Sequence, residues 1–240
     1  MPTSESLVIE HMLEMIRRWD DQSDQRAIFL NCYSMMTRNM QTAIERREFN
    51  DPGWVDRLLR RFADYYFIAL DAYEHDPPSA PPIWQLTHRI TQTRDTMALQ
   101  KLLLGVNAHI NYDLVLTLVE ILEPEWAELS ESRRAERYSD HCYVNDVIAH
   151  TIDAVQDTVL EPAMPAMDIF DKLLGPLDEM MLSRLITHWR DRVWNYALLV
   201  LESKESEERL QVIRQVEEDA FRQASAIIGK DWSVALGELL

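Results

Sequence analysis

Apolar residues recur at steps of three and four along nearly the whole chain, and no segment sustains the apolar–polar alternation of a half-buried strand. The pattern predicts an all-α protein. A first amphipathic stretch covers about Glu5 to Trp19; the polar DDQSD segment, Asp20 to Asp24, breaks it and offers Ser23 or Asp24 as the cap of a second helix, about Gln25 to Arg47. Asn50-Asp51-Pro52-Gly53 reads as a turn. A third helix over about Trp54 to Glu74 places Leu58, Phe62, Tyr65, Ala69 and Tyr73 on one face.

Between His75 and Trp84 the prolines Pro77, Pro78, Pro81 and Pro82 predict a stiff extended connector. A boundary there would strand a small N-terminal piece, so residues 1–240 are expected to form one domain. A fourth helical region runs on to about Glu123, and its stretch over about 97–122 is apolar on nearly every side, as a helix in the middle of a bundle would be. Further helices are expected from Ser130 to about Leu160, ended by Glu161-Pro162 to Pro165, and from Leu177 to Glu202, preceded by Gly175-Pro176. The last runs from about Glu207 to Ile228, with Leu210, Ile213, Val216, Ala220, Ala224 and Ile227 inward and Gly229 after its end. The tail DWSVALGELL could dock by Trp232 or fray. The expectation is a bundle of about seven helices.

Composition narrows the function classes. The 41 Asp and Glu against 24 Lys and Arg give a formal charge of −17, which repels phosphate backbones and anionic membranes, so neither nucleic acid nor membrane is an expected partner. The N-terminus lacks a basic run before an apolar stretch, and no segment reaches about 18 uninterrupted apolar residues. A soluble cytoplasmic protein is expected, with Cys32 and Cys142 as a reduced pair of buried thiols. The 11 Met, 7 Trp, 8 Tyr and 6 Phe suit an adaptable core or the lining of an apolar pocket.

Against this background the segment LLLGVNAHINYDLVLTLVEIL, Leu102 to Leu122, is unusual, because its apolar run is interrupted by Asn107, His109, Asn111, Tyr112 and Asp113. An unsatisfied buried polar group costs roughly 1–3 kcal/mol, so these side chains need partners. His109 and Asp113 are four residues apart, on one face, able to bond each other or to hold one ion together. Asn107 and Asn111 form a second such pair on the roughly opposite face. Gly105, one turn before His109, leaves room for a neighbouring helix or a ligand.

Other helices carry similar material. His141 and Asn145 are four apart; Asp146, His150, Asp153 and Asp157 form a stripe that reads as a solvated or salt-bridged face, as do Arg184, His188, Asp191 and Asn195. Imidazoles and carboxylates converging from several helices resemble metal sites of helical bundles, which makes a divalent metal conceivable, with His109 and Asp113 as its first ligands. The paired Glu-x-x-His of a di-iron site is absent, as are HEXXH, CxxC, GxSxG and phosphate-cradling glycine loops.

The stretch GVNAHINYDL, with FADYYFIALDAY upstream and Trp84 after the proline-rich connector, resembles a family of bacterial proteins catalogued only as a domain of unknown function. The resemblance runs from about Phe29 to Trp194, and AHIN-x-DL is its specific part. It implies that Asn107, His109, Asn111 and Asp113 belong together in a signature, and that Asp64, where the family more often carries Asn, is a doubtful catalytic carboxylate. It implies no activity, cofactor or substrate.

Three functional readings follow. In the first, the protein is an enzyme acting on a small, largely apolar metabolite by acid/base or metal-assisted chemistry. His109 is its base or first ligand, Asp113 its orienting partner or second ligand, and Asn107 or Asn111 a polar anchor; His141, Asn145 and His188 complete the pocket. In the second, the protein binds a ligand or assembles without catalysis, and the cluster is structural. A helical metal or haem carrier is the third. Monomer and homodimer are both compatible with an acidic bundle.

Overall fold

In the computed structural model the placement of residues 4–93, 96–155, 158–159 and 179–229 is described. The expected helix end at Pro162 to Pro165, the Gly175-Pro176 break, Asp157 and the tail with Trp232 lie outside these residues, as does the side chain of Asp153. Eight helices and no strand occur among them. They are α1 (Ser4–Asp21), α2 (Ala27–Glu45), α3 (Pro52–His75), α4 (Pro82–Thr91), α5 (Ala98–Leu122), α6 (Glu131–Val155), α7 (Glu179–Glu202) and α8 (Ser206–Ile228).

The count exceeds the expected seven because the fourth predicted region is two helices. Gln92 closes α4 with its backbone N–H on the His88 carbonyl, and the chain restarts at Met97, in extended geometry, whose N–H donates to Gln100 Oε1 at 3.2 Å. Gln100 Nε2 then donates to the Ile227 carbonyl at 2.7 Å, fixing the start of α5 against the end of α8. The proline segment is not wholly extended either: Pro77–Ser79 is a 3-10 turn and Pro82 begins α4, where a missing N–H costs nothing.

The Asn50–Gly53 turn is held from outside. Asp51 caps α3 by accepting from Trp54 N–H at 3.0 Å, while the buried Asp140 of α6 accepts from the backbone of Asn50 and Asp51 at 2.7 and 2.9 Å. Arg137 adds a bond to Asp51 at 2.7 Å and a second to Glu125, with its guanidinium over the Trp54 ring. This polar clamp fixes the start of α3 relative to α6.

Helix α5 lies at the centre and touches α2, α3, α4, α7 and α8. By length and composition Ala98–Leu122 would suffice to cross a membrane, but most of it is buried inside the protein. Leu104, Ala108, Val115, Leu118 and Leu122 are inaccessible to solvent, and buried apolar residues of all eight helices join in one cluster around them. Burial of each large apolar side chain stabilises the fold by roughly 1.5–3 kcal/mol. Two faces differ from expectation. On α3 the buried tyrosine is Tyr66, while Tyr65 sits at the flank and donates to Glu120 at 2.9 Å. On α8 the inward face begins at Val216, and Leu210 is 50% exposed because the first turns overhang the core.

Gly105 is where α2 and α5 approach most tightly: a Cβ there would intrude into the Phe29 ring. A Gly105→Ala substitution is expected to destabilise the protein by about 1–3 kcal/mol despite the better helix propensity of alanine. Gly53→Ala, where a Cβ meets nothing closer than 3.5 Å, is expected to change little. Urea denaturation of the two variants checks this contrast.

Candidate functional site

The polar stretch of α5 departs from α-helical geometry. Residues Ala108–Asp113 form a π-helical turn, with α-helix on either side. Such wide turns are rare and recur at functional sites, and this one contains His109, Asn111 and Asp113. His109 Nδ1 lies 2.9 Å from Asp113 Oδ2, with both side chains buried. The indole N–H of Trp84, on α4, reaches both carboxylate oxygens, at 3.1 and 3.0 Å. Asp113 thus accepts from two helices, and His109 is held in one orientation.

An aromatic cage completes that hold. The Phe62 ring stacks on His109 with 3.6 Å between centroids and 7° between planes, while Tyr33 meets its edge at 4.5 Å. Phe29 and Tyr66 stand further round, each at 5.9 Å. His109 Nε2 and the Tyr33 hydroxyl are buried, and neither has a hydrogen-bond partner among the described residues. Both residues line an apolar cavity of about 160 Å³ bounded by α2, α3, α5, α6 and α7. That is roughly the size of an engineered 150 Å³ protein cavity that accepts benzene. Leu58, Leu102, Val106, Val144, Ile148 and Ile186 supply much of its wall.

Burial sets the protonation states. It drives the His109 pKa down, against the opposing pull of Asp113, so the imidazole is neutral: Nδ1–H donates to Asp113 and Nε2 keeps its lone pair. Burial also raises the Asp113 pKa, and the bonds from His109 and Trp84 draw it back toward the carboxylate form. The Tyr33 phenol is pushed well above its ordinary value by burial, reinforced by Asp113, and remains a donor.

Other candidate residues go elsewhere. Asn107 and Asn111 bond each other at 2.9 Å, and Asn107 donates to the Ala220 carbonyl of α8, also at 2.9 Å, so this pair faces away from the cavity. His141 is spent on Arg190: its Nε2 is 3.1 Å from the Arg190 carbonyl, and its Nδ1 is 3.3 Å from Nη2. Asn145 accepts from Arg190 Nε at 2.7 Å. His188 is half-buried and does not line the cavity, whereas His150 is exposed with Nδ1 on the Asp146 carbonyl. Asp64 is exposed beside Arg61. Cys32 and Cys142 are free thiols; Cys32 lines the cavity, and burial raises its pKa to about 12. No group of three His, Cys, Asp or Glu side chains suited to a metal occurs among the described residues, and the two proposed ligands bind each other.

The reading from sequence passed over Tyr33 and Arg190. Both had a signal in the helical period: Tyr33 lies one turn from Phe29 on α2, and Arg190 interrupts the apolar stripe Ile186, Val193, Ala197 on α7.

Three buried histidines are neutral in the fold: His109, His141 and His88, the last driven to about 3 by burial and the Arg26 charge. In the unfolded chain each takes up a proton below about pH 6.5. Their stabilising contribution is therefore complete above that pH and declines below it, each by up to about 1.4 kcal/mol per pH unit until its folded pKa is reached. Asp113, with its raised pKa, acts in the opposite sense only above about pH 3.9, up to its folded value. Urea denaturation between pH 7.5 and 5 is expected to show stability falling with pH, and a flat profile would contradict neutral buried imidazoles.

A family of unknown function, DUF5995, matches residues 6–230, well beyond the span of the sequence resemblance. No curated protein and no solved structure matches the chain. With nearly its full length covered, the chain belongs to the DUF5995 family.

Proposed function

We propose that the protein is an enzyme that moves a proton on a small, largely apolar carbonyl compound held in the α2–α3–α5–α6–α7 cavity. One observation carries this reading: His109 Nε2 is a buried base without a partner, in a cavity wall, on a ring oriented through Asp113 and Trp84. His88 Nε2 is also buried without a partner among the described residues, but it does not line the cavity, as His109 does. In this mechanism Nε2 takes a proton from the carbon beside the carbonyl, Asp113 steadies the resulting imidazolium, and the Tyr33 hydroxyl donates to the carbonyl oxygen as negative charge develops there. The carbon is then reprotonated from Nε2, whose proton exchanges with solvent before it returns. Asp113 is a positioning residue, acting through His109. The largely apolar wall lowers the local dielectric and so strengthens each of these interactions. The two free thiols support a reducing, cytoplasmic setting.

The second reading is a carrier in which the dyad only locks helix register. The Phe62 stack and the Trp84 bond favour it, since both also hold a passive core together. Phenylacetone in D2O separates the two. By NMR, the native protein is expected to bind it and to accelerate deuterium exchange beside the carbonyl about 100-fold over folded His109→Gln. Asp113→Asn is expected to slow exchange and move the midpoint of the pH profile, which lies below 6.5 in the native protein. Binding without exchange establishes the carrier instead; no binding overturns the pocket reading.

A further inference from the structure

The same cavity contains a charge that the proton-transfer reading does not use. Arg190 of α7 is 4% exposed and lines the wall shared with His109. Nε donates to Asn145 Oδ1 at 2.7 Å and Nη2 to the His141 carbonyl at 2.6 Å, with His141 Nδ1 at 3.3 Å as a further acceptor. These partners are all neutral: His141 is uncharged, its pKa held well below normal by burial and by Arg190 itself. Among the described residues Nη1 makes no hydrogen bond and no carboxylate forms an ion pair with the guanidinium; the neighbouring Asp191 acts on it only at longer range. Burial lowers the Arg190 pKa to about 10, which leaves it protonated at neutral pH. A buried cation without a paired carboxylate is costly; Arg137, as little exposed as Arg190, is paired with both Asp51 and Glu125.

We propose that the ligand of this cavity is a small monocarboxylate, its carboxylate on the free Nη1 edge of Arg190 and its apolar body extending toward His109. The inference rests on the reading of the cavity as a ligand pocket and names the chemical class of its occupant. A single negative charge is indicated because Arg190 is the one Lys, Arg, Asp or Glu among the described lining residues, and a phosphate dianion would be left half-neutralised. The small volume limits the body to on the order of ten non-hydrogen atoms, given that about 150 Å³ accommodates benzene. His141 and Asn145 become positioning residues, holding the guanidinium with Nη1 left over.

The test compares 3-phenylpropionate with 3-phenylpropionamide, of nearly equal shape, by calorimetry at pH 7.5. The native protein is expected to bind the carboxylate at least 10-fold more tightly, and Arg190→Gln, if folded, to lose that preference while retaining affinity for the amide. Arg190→Lys, which keeps the charge, is expected to retain part of it. The first comparison needs only native protein and stands even if the variants do not fold. Equal affinity for both compounds overturns the assignment while leaving the pocket intact, as does a preference that survives in folded Arg190→Gln. Failure of both compounds, and of phenylacetone, to bind removes the pocket reading itself.

Discussion

A helix enclosed by five others has no solvent to satisfy its polar side chains, so every hydrogen bond that α5 requires must come from protein. Much of the architecture answers that requirement. Trp84 reaches in from α4 to Asp113, the Ala220 carbonyl of α8 accepts from Asn107, and Thr117 returns its hydroxyl to the Asp113 carbonyl. Helices that already pack on α5 through apolar contacts are in this way also fixed in rotation, because a turn of either would leave a buried polar group unpaired at a cost of roughly 1–3 kcal/mol. Among the described residues, His109 Nε2 and Asn111 Oδ1 are the acceptors of this cluster left over, and of these two residues His109 lines the cavity.

The two i, i+4 pairs have the same spacing and opposite fates. Asn107–Asn111 closes on itself and on α8, which makes it an internal brace. His109–Asp113 is closed on one side only. The π turn, Ala108–Asp113, contains His109, Asn111 and Asp113, so the helix widens where the two pairs overlap. Neutral imidazole, carboxylate and indole form a chain from α5 to α4 that delivers a lone pair into the largely apolar cavity.

The sequence carried the helical class, the buried status of the 98–122 helix and the grouping of its polar residues, because periodicity and a polar interruption in an apolar run are local signals. It did not reveal which way each pair turned. That depends on the position of Trp84 and Ala220, 29 residues before Asp113 and 113 after Asn107 in the chain, and no local pattern encodes either. His141 looked like part of the site by residue type, yet it is consumed as an acceptor and donor for Arg190. The split of α4 from α5 was equally hard to read, since the polar QTRDTM segment between them would also suit one exposed turn of a longer helix.

The contact of Gly105 with Phe29 also constrains how this family can vary. Phe29 covers Gly105 and, through the same ring, borders His109, so the two positions behave as one unit of volume. A larger residue at 105 becomes accessible once position 29 has been truncated, and truncation in turn opens the cage around the imidazole. The order of the two steps is therefore asymmetric: enlarging first clashes, whereas shrinking first leaves a void beside the base. Paired exchange at 29 and 105 across members of the family would be the evolutionary trace of that packing.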